Sequence, residues 1–237
     1  MAVYTLSDLH LAKSIDKPMD IFGMGWAGYM DKIYENWQST VNDGDTVIIG
    51  GDLSWAMYLD ECKPDFDFIE SLNGNKVILK GNHDYWWESI TKLNNYLSSN
   101  GYKTMRFLHN NSYVVENVGI FGTRGWLTPL SDNFKEADRK IYERELIRLE
   151  LSYNHLNTIK TDGVIPVAVL HYPPINKEGE VDEGFKAFFE KYGIKHCIYG
   201  HLHGMAGQNA FSGEKSGVKY KLASADVLEF KPFKLDL

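Results

Sequence analysis

Five short motifs in this chain end in residues that bind metals or move protons. Lys80-Gly81-Asn82-His83-Asp84 follows the apolar run Val77-Ile78-Leu79. Asp8 and His10 follow Val3-Tyr4-Thr5-Leu6, and Asp52 follows Thr46-Val47-Ile48-Ile49-Gly50-Gly51. His171 follows residues 165–170, and His201 and His203 follow residues 194–199. Setting His83 aside, the set offers two carboxylates, one amide oxygen and four imidazoles. Such a mixture suits Mn²⁺, Fe²⁺, Co²⁺ or Zn²⁺ and is too rich in nitrogen for Ca²⁺ or Mg²⁺ alone. In Asp8-Leu9-His10 and His201-Leu202-His203 the candidate ligands are two apart. In an extended exit from a strand, both members point to the same side. Gly51, Gly81 and Gly200 let the backbone come close behind them. Seven ligands, Asp8, His10, Asp52, Asn82, His171, His201 and His203, exceed the needs of one ion. Two ions about 3.5–4 Å apart form a clamp for in-line displacement at phosphorus. His109, His155 and His196 occur in no comparable motif and receive no role.

Each motif needs a strand to deliver it. Residues 3–6, 46–49, 77–79, 165–170 and 194–199 read as buried strands from their apolar, often β-branched runs. Residues 111–115 and 119–123 read as a hairpin pair around Glu116-Asn117-Val118. Helices are predicted at 27–41, 60–72, 86–98, 133–156 and 184–192, and two closing strands at 218–223 and 227–230. Asn133 and Glu136 suggest a capping box for the longest helix. Its charged face (Lys135, Glu136, Arg139, Lys140, Glu143, Arg144, Arg148) reads as solvated. Asp84 reads as a cap for the helix that follows it. Residues 11–26 are irregular, broken by Pro18, Gly23 and Gly25. Met19, Phe22, Met24 and Trp26 in that stretch suit either a substrate cleft or a cluster packed under the loop.

The totals bound the function. The chain has 237 residues, 43% hydrophobic and 24% charged, with a net charge of −7. An acidic balance argues against broad electrostatic capture of nucleic acid, which needs a basic face. Cys62 and Cys197 are far apart, so they form neither a disulfide framework nor a zinc knuckle. No basic stretch followed by an apolar core opens the sequence, so no signal peptide is expected. No apolar run approaches the roughly 18 residues of a membrane span. The expected compartment is the cytoplasm.

Taken together, Asp8-x-His10, Gly51-Asp52, Gly81-Asn82-His83-Asp84, His171 and Gly200-His201-x-His203 resemble the calcineurin-like metallophosphoesterases, in the family's order and over residues 8–203. Gly122-Thr123-Arg124-Gly125-Trp126 and the stretch 80–87 look most like an uncharacterised bacterial branch of predicted phosphohydrolases. The resemblance implies one metallophosphoesterase domain over 1–237, an α/β fold built as a four-layer α/β/β/α sandwich with two mixed sheets. It implies that Asp8, His10, Asp52 and His203 hold one metal ion, and that Asp52, Asn82, His171 and His201 hold the other, with Asp52 bridging. The ions would be Mn²⁺ or Fe²⁺/Fe³⁺, with Zn²⁺ or Co²⁺ as alternatives. The implied reaction is hydrolysis of a phosphate mono- or diester by a hydroxide bridging the metals, with His83 as general acid.

In the protein Ser/Thr phosphatase branch an Asp-Arg-Gly follows the Gly-Asp motif. Here Leu53-Ser54-Trp55-Ala56-Met57 stands in its place, so that Asp and Arg are missing and the sequence does not identify the orienter of His83. Arg124 is the candidate substitute for the phosphate clamp. The expected partner is a small phosphorylated substrate. A nuclease or cyclic-nucleotide phosphodiesterase is the alternative among enzymes, and a non-catalytic scaffold the alternative outside them. Trp26, Trp55, Tyr85, Trp86 and Trp87 could stack on a base, but core packing is the first expectation for them.

Overall fold

A computed structural model of the chain describes residues 1–15, 17, 19 and 23–237, with Met24 described by its backbone alone. Side chains alternate between two faces along the strands, as the two-residue repeat of extended chain requires. In β1 (Val3–Thr5), Val3 joins one apolar cluster and Tyr4 another. In β2 (Thr46–Ile49), Ile48 faces the first cluster while Val47 and Ile49 face the second. In β3 (Asn75–Leu79), Val77 and Leu79 again face the first and Ile78 the second. These strands and β4 (Met105–Leu108) run parallel, in the order β1-β2-β3-β4. The last strand, β11 (Phe233–Lys234), pairs antiparallel with β1.

A second sheet has the order β5-β6-β7-β8-β10-β9. Its strands are β5 (Ser112–Val115), β6 (Val118–Thr123), β7 (Ile165–Leu170), β8 (His196–Tyr199), β9 (Gly213–Lys215) and β10 (Val218–Leu222). β6, β7, β8 and β10 are parallel, and β5 and β9 lie antiparallel at the edges. Ile120, Val167, Val169 and Ile198 meet Val3, Ile48, Val77 and Leu79 between the sheets. Helices α1 (Tyr29–Thr40), α2 (Lys63–Ser71) and α3 (Ile90–Asn100) cover the outside of the first sheet through Ile33, Trp37, Phe66, Ile69 and Leu93. Helices α4 (Glu136–Ile159) and α5 (Glu183–Tyr192) cover the second through Leu149, Leu156, Phe185 and Phe189. The layers are therefore α/β/β/α, as the resemblance implied.

Several elements depart from expectation. α3 starts four residues later than predicted, because Ser89 caps it by accepting from Lys92 N–H. α4 starts at Glu136, where Asp138 reaches back to accept from Lys135 N–H at 2.9 Å. Its Arg148 is not simply solvated, since it donates to the fully buried Glu145 at 2.6 Å. β4, β9 and the short α6 (Gly204–Gln208) carry too weak a pattern to have been foreseen. Residues 227–230, read as a strand, form a turn with positive φ at Glu229 and Phe230, and Phe230 packs from it into the second cluster, beside Tyr29.

Both sheets are tied together where the parallel strands end. Beyond β1 the chain crosses to the second sheet: Ser7 N–H donates to Ala223 C=O at 2.7 Å and Ala225 N–H to Ser7 C=O at 2.9 Å. Ser7 Oγ accepts from Gly50 N–H at 2.8 Å. Gly50 C=O lies 3.0 Å from His171 Nδ1. The loops that follow are thus held in register across the two sheets.

Candidate metal centre

The loops after β1, β2, β3 and β8 line a cavity of ≈ 740 Å³ whose walls include His10, Asp52, His83, His201 and His203. All seven candidate ligands and His83 come together there. His203 Nε2 lies 3.2 Å from His10 Nε2 and 3.4 Å from Asp8 Oδ1. Asn82 Oδ1 lies 2.6 Å from His171 Nε2 and 2.8 Å from His201 Nδ1. Asp52 stands between these groups. Its Oδ2 is 3.8 Å from His10 Nε2 and 3.5 Å from His171 Nε2. Its Oδ1 accepts from the His83 backbone N–H at 2.8 Å. Asp8 is also shared, since Asp8-His10-His203 and Asp8-Asp52-His171 each bring ligand atoms within 4.8 Å of one another. Either trio could hold an ion.

The extended exits expected around Asp8 and His201 do not form. Asp8, His10, Asp52 and His201 have φ of 59°, 47°, 52° and 73°. For residues with a Cβ this left-handed backbone costs roughly 1–2 kcal/mol each, and such strain collects at functional sites. Cross-loop bonds hold it. Asp8 N–H donates to Gly51 C=O at 2.9 Å, His10 N–H to Asp52 C=O at 3.0 Å, and His201 N–H to Asp8 Oδ1 at 3.0 Å. The side chains converge because the backbone turns at each of them, with Leu9 buried beneath. The close approach behind them is real: a Cβ at Gly81 would strike the Asp52 carboxylate, and one at Gly200 the Asp8 carboxylate.

The donor set fits divalent cations. Asp8 and Asp52 are both buried, and among the described residues their ion-pair partners are imidazoles alone. Two adjacent carboxylates out of water need compensating positive charge. Burial and then Asp8 push Asp52 up to about 8. Burial opposes ionisation of Asp8 too, but the hydrogen bond with His203 and the surrounding imidazoles hold it well below the usual carboxylate range. Burial pushes down His10 and His171, each against the pull of Asp8. Burial and then His171 push His201 down to about 3. These imidazoles are held neutral, the form that ligates metal. His203 is the exception. Burial works against its charge, but its hydrogen bonds to Asp226 and Asp8 raise it to about 10.

The roles of three neighbours escaped the sequence. Asp226 Oδ1 lies 2.9 Å from His203 Nδ1, and Oδ2 accepts from Gly204 N–H at 2.8 Å. A carboxylate behind a ligating imidazole fixes its tautomer and raises its basicity. Asp226 lies in a turn, between the two stretches read as the closing strands, where no spacing signals it. Trp55 stacks on His10 at 4.7 Å and 19° and packs against His83 at 4.5 Å. It stands where the phosphatase branch has Asp-Arg-Gly, and it sets the His83 ring by packing. His83 Nδ1 has no hydrogen-bond partner among the described residues. Asp84 caps no helix. It is buried and accepts from Asp52, Leu53, Ser54 and Gly81 N–H and from Trp86 Nε1. Burial and then the Asp52 charge push it up to about 7, against the pull of those donors. Five donors and no acceptor are satisfied by the ionised form.

Arg124 leaves β6 as expected but lines a different cavity, with its Nη2 3.9 Å from Glu145 and its guanidinium 4.6 Å over Trp126. Lys17 is the lysine among the described walls of the metal-site cavity. Met19 and Trp26 line that cavity while packing in the second cluster. Phe22 and the Met24 side chain lie outside the described residues. Trp86 is core, as expected, whereas Tyr85 is 56% exposed at the cavity mouth.

The comparisons with known proteins agree with this picture. An uncharacterised protein of Methanocaldococcus jannaschii is 31% identical over 182 residues, which cover 73% of this chain and 86% of that protein. A protein of unknown function from Aquifex aeolicus shares the fold, with a TM-score of 0.50 at 13% identity over 98% of this chain and 95% of that one. A Thermus thermophilus protein aligns with a TM-score of 0.58 at 12% identity, over 99% and 97% of the two chains. Among the described residues no helix is long and apolar enough to cross a membrane. The sequence pattern of the calcineurin-like phosphoesterases matches residues 1–205, and with the layered fold and the cluster of Asp and His at its strand ends this places the chain in that family.

Proposed function

We propose that this chain hydrolyses small phosphate mono- or diesters at a dinuclear metal centre. The observation that carries the reading is the position of Asp52, whose Oδ2 faces a His10 group on one side and a His171 group on the other. Asp8, His10, Asp52 and His203 would hold one ion, and Asp52, Asn82, His171 and His201 the other, with Mn²⁺ or iron the metals best suited to the mixed donors. Bound ions of this kind supply a nucleophile at neutral pH and neutralise phosphoryl oxygens.

The chain's own residues do the rest. Asp226 keeps the His203 Nδ1 side occupied, so Nε2 faces Asp8 and His10. Asp84 ties the 52–54 backbone to Gly81, which holds Asp52 against the loop that carries Asn82. Lys17 stands at the cavity wall to meet a phosphate, the task the sequence suggested for Arg124. His83 is the group placed to protonate the leaving oxygen. Burial, then Lys17, push it down to about 4, and an anionic substrate beside it would favour the charged form that acid catalysis needs.

The cavity walls argue for a particular leaving group. Met19, Trp26, Trp55 and Tyr85 surround the cluster, which favours a flat or apolar moiety over a long polyanionic strand. A nucleotide phosphodiester is the second reading this supports. The deciding experiment is a metal-supplemented screen of purified protein against a phosphomonoester, a phosphodiester, cyclic nucleotides and single-stranded DNA, with and without chelator. Turnover that is abolished by chelator and restored by Mn²⁺ or Fe²⁺ is the expected result. Equal rates with and without metal, or none on any ester, would remove the proposal.

A further inference from the structure

A second cavity opens beside the first, between the ends of β3, β4 and β6 and the side of α4. It shares no lining residue with the metal-site cavity. Its volume of ≈ 240 Å³ is below the roughly 300–1,000 Å³ of sites for drug-sized ligands, so its scale is that of an ion or a single phosphate group. Lys80, Arg124, Arg144 and Arg148 line it, against one carboxylate, Glu145. A chain with a net charge of −7 has gathered four cations around one anion at this place.

Glu145 is already committed. It is buried, accepts from Arg148 Nη1 at 2.6 Å and from Thr123 Oγ1 at 2.5 Å. Arg124 Nη2 stays 3.9 Å from it, beyond hydrogen-bond distance. Among the described residues, Lys80 and Arg144 have no carboxylate within ion-pair distance. The walls also hold donors in surplus: Arg124 Nε and Trp87 Nε1 are buried N–H groups without an acceptor among the described residues. Neither group can act as an acceptor, so the imbalance cannot be resolved by reorienting them.

We propose that this cavity is an anion site, separate from the metal centre, that takes a phosphate-type oxyanion. A tetrahedral dianion offers acceptors in several directions, and the forked guanidinium of Arg124, together with Arg144, matches paired oxygens. Lys80 supplies a point charge from the loop that two residues later carries Asn82. The site therefore sits on the strand end that also builds the metal centre, without using any of its ligands.

Calorimetric titration of the full, metal-loaded chain with inorganic phosphate tests this. Wild type is expected to show a phosphate-binding event that Asp52→Asn leaves in place, since that change touches only the metal cluster. Arg144→Ala, at an exposed position where folding is not at risk, should weaken the event about tenfold, the loss of one charge-assisted contact. Lys80→Ala should do the same. The proposal is overturned if wild type shows no phosphate event beyond one abolished by Asp52→Asn. It is equally overturned if Arg144→Ala and Lys80→Ala both bind as wild type does. Stoichiometry is read without turnover, so the outcome does not depend on the esterase reading.

Discussion

Replacing Asp84 with Asn changes one oxygen for an amide in a site that has only donors. Oδ2 accepts from Asp52 N–H at 3.0 Å and Gly81 N–H at 2.7 Å. Oδ1 accepts from Leu53 N–H at 2.9 Å, Ser54 N–H at 3.3 Å and Trp86 Nε1 at 3.1 Å. Whichever way the amide is turned, its NH₂ confronts two or three buried donors. Bonds to a charged acceptor contribute about 1.5–3 kcal/mol each, so losing two costs roughly 3–6 kcal/mol. That is a large part of the roughly 5–15 kcal/mol that holds a folded domain. At this chain length it corresponds to a fall in Tm of roughly 10 °C, from about 2–4 °C per kcal/mol. The damage should not stop at stability, because the freed segments carry Asp52 and Asn82. Urea unfolding should show a lower midpoint with an unchanged slope, and elemental analysis should show fewer bound ions. A variant that unfolds within about 1 kcal/mol of wild type and keeps its full metal complement would refute the staple.

Three further outcomes are expected. Asp52→Asn should deplete both metal positions together, and loss of one ion alone, by elemental analysis, would remove its shared role. His83→Ala should keep its ions yet slow hydrolysis by about 10²–10⁴-fold, most on esters with poor leaving groups; a uniform loss across leaving groups would argue against proton donation. Lys76 is fully buried at the base of β3, bonded to Leu72 C=O and Thr104 Oγ1, and burial lowers its pKa to about 8. Below that pH the folded chain bears the cost of a desolvated ammonium; between it and the unfolded value the folded chain sheds the proton first, so wild type gains stability as pH rises. The stability advantage of Lys76→Met should therefore shrink between pH 8 and 10.5, and a pH-independent difference in urea midpoints would contradict this.

Much of the architecture was legible because strand alternation is a local property. Val77-Ile78-Leu79 carries its two faces in three consecutive residues, and the same is true of residues 165–170. The layered arrangement with two mixed sheets was implied by the family resemblance, and the parallel order of β1 to β4 and of β6, β7, β8 and β10 came from the structure. Elements whose patterns are short or overridden were not legible. β4 is Met105-Arg106-Phe107-Leu108, with an exposed arginine inside it and no β-branched residue, and the apolar residues at 227–230 belong to a turn that fills a core rather than to a strand. The helix after His83 was placed too early: Trp86 fills the core, Trp87 walls the second cavity, and the cap is supplied only at Ser89.

The sequence alone picked out Asp8, His10, Asp52, Asn82, His83, His171, His201 and His203, because each follows an apolar run, and the family resemblance implied that they gather. It could not determine how they meet. The left-handed backbone at four of these residues, the Asp84 staple, Asp226 behind His203, Trp55 against His83, and the diversion of Arg124 toward Glu145 all depend on contacts between distant segments. A residue's type restricts what it can bind, but its partner is set by the register of two sheets and by the few hydrogen bonds that lock their ends together, and those exist only once the chain has folded.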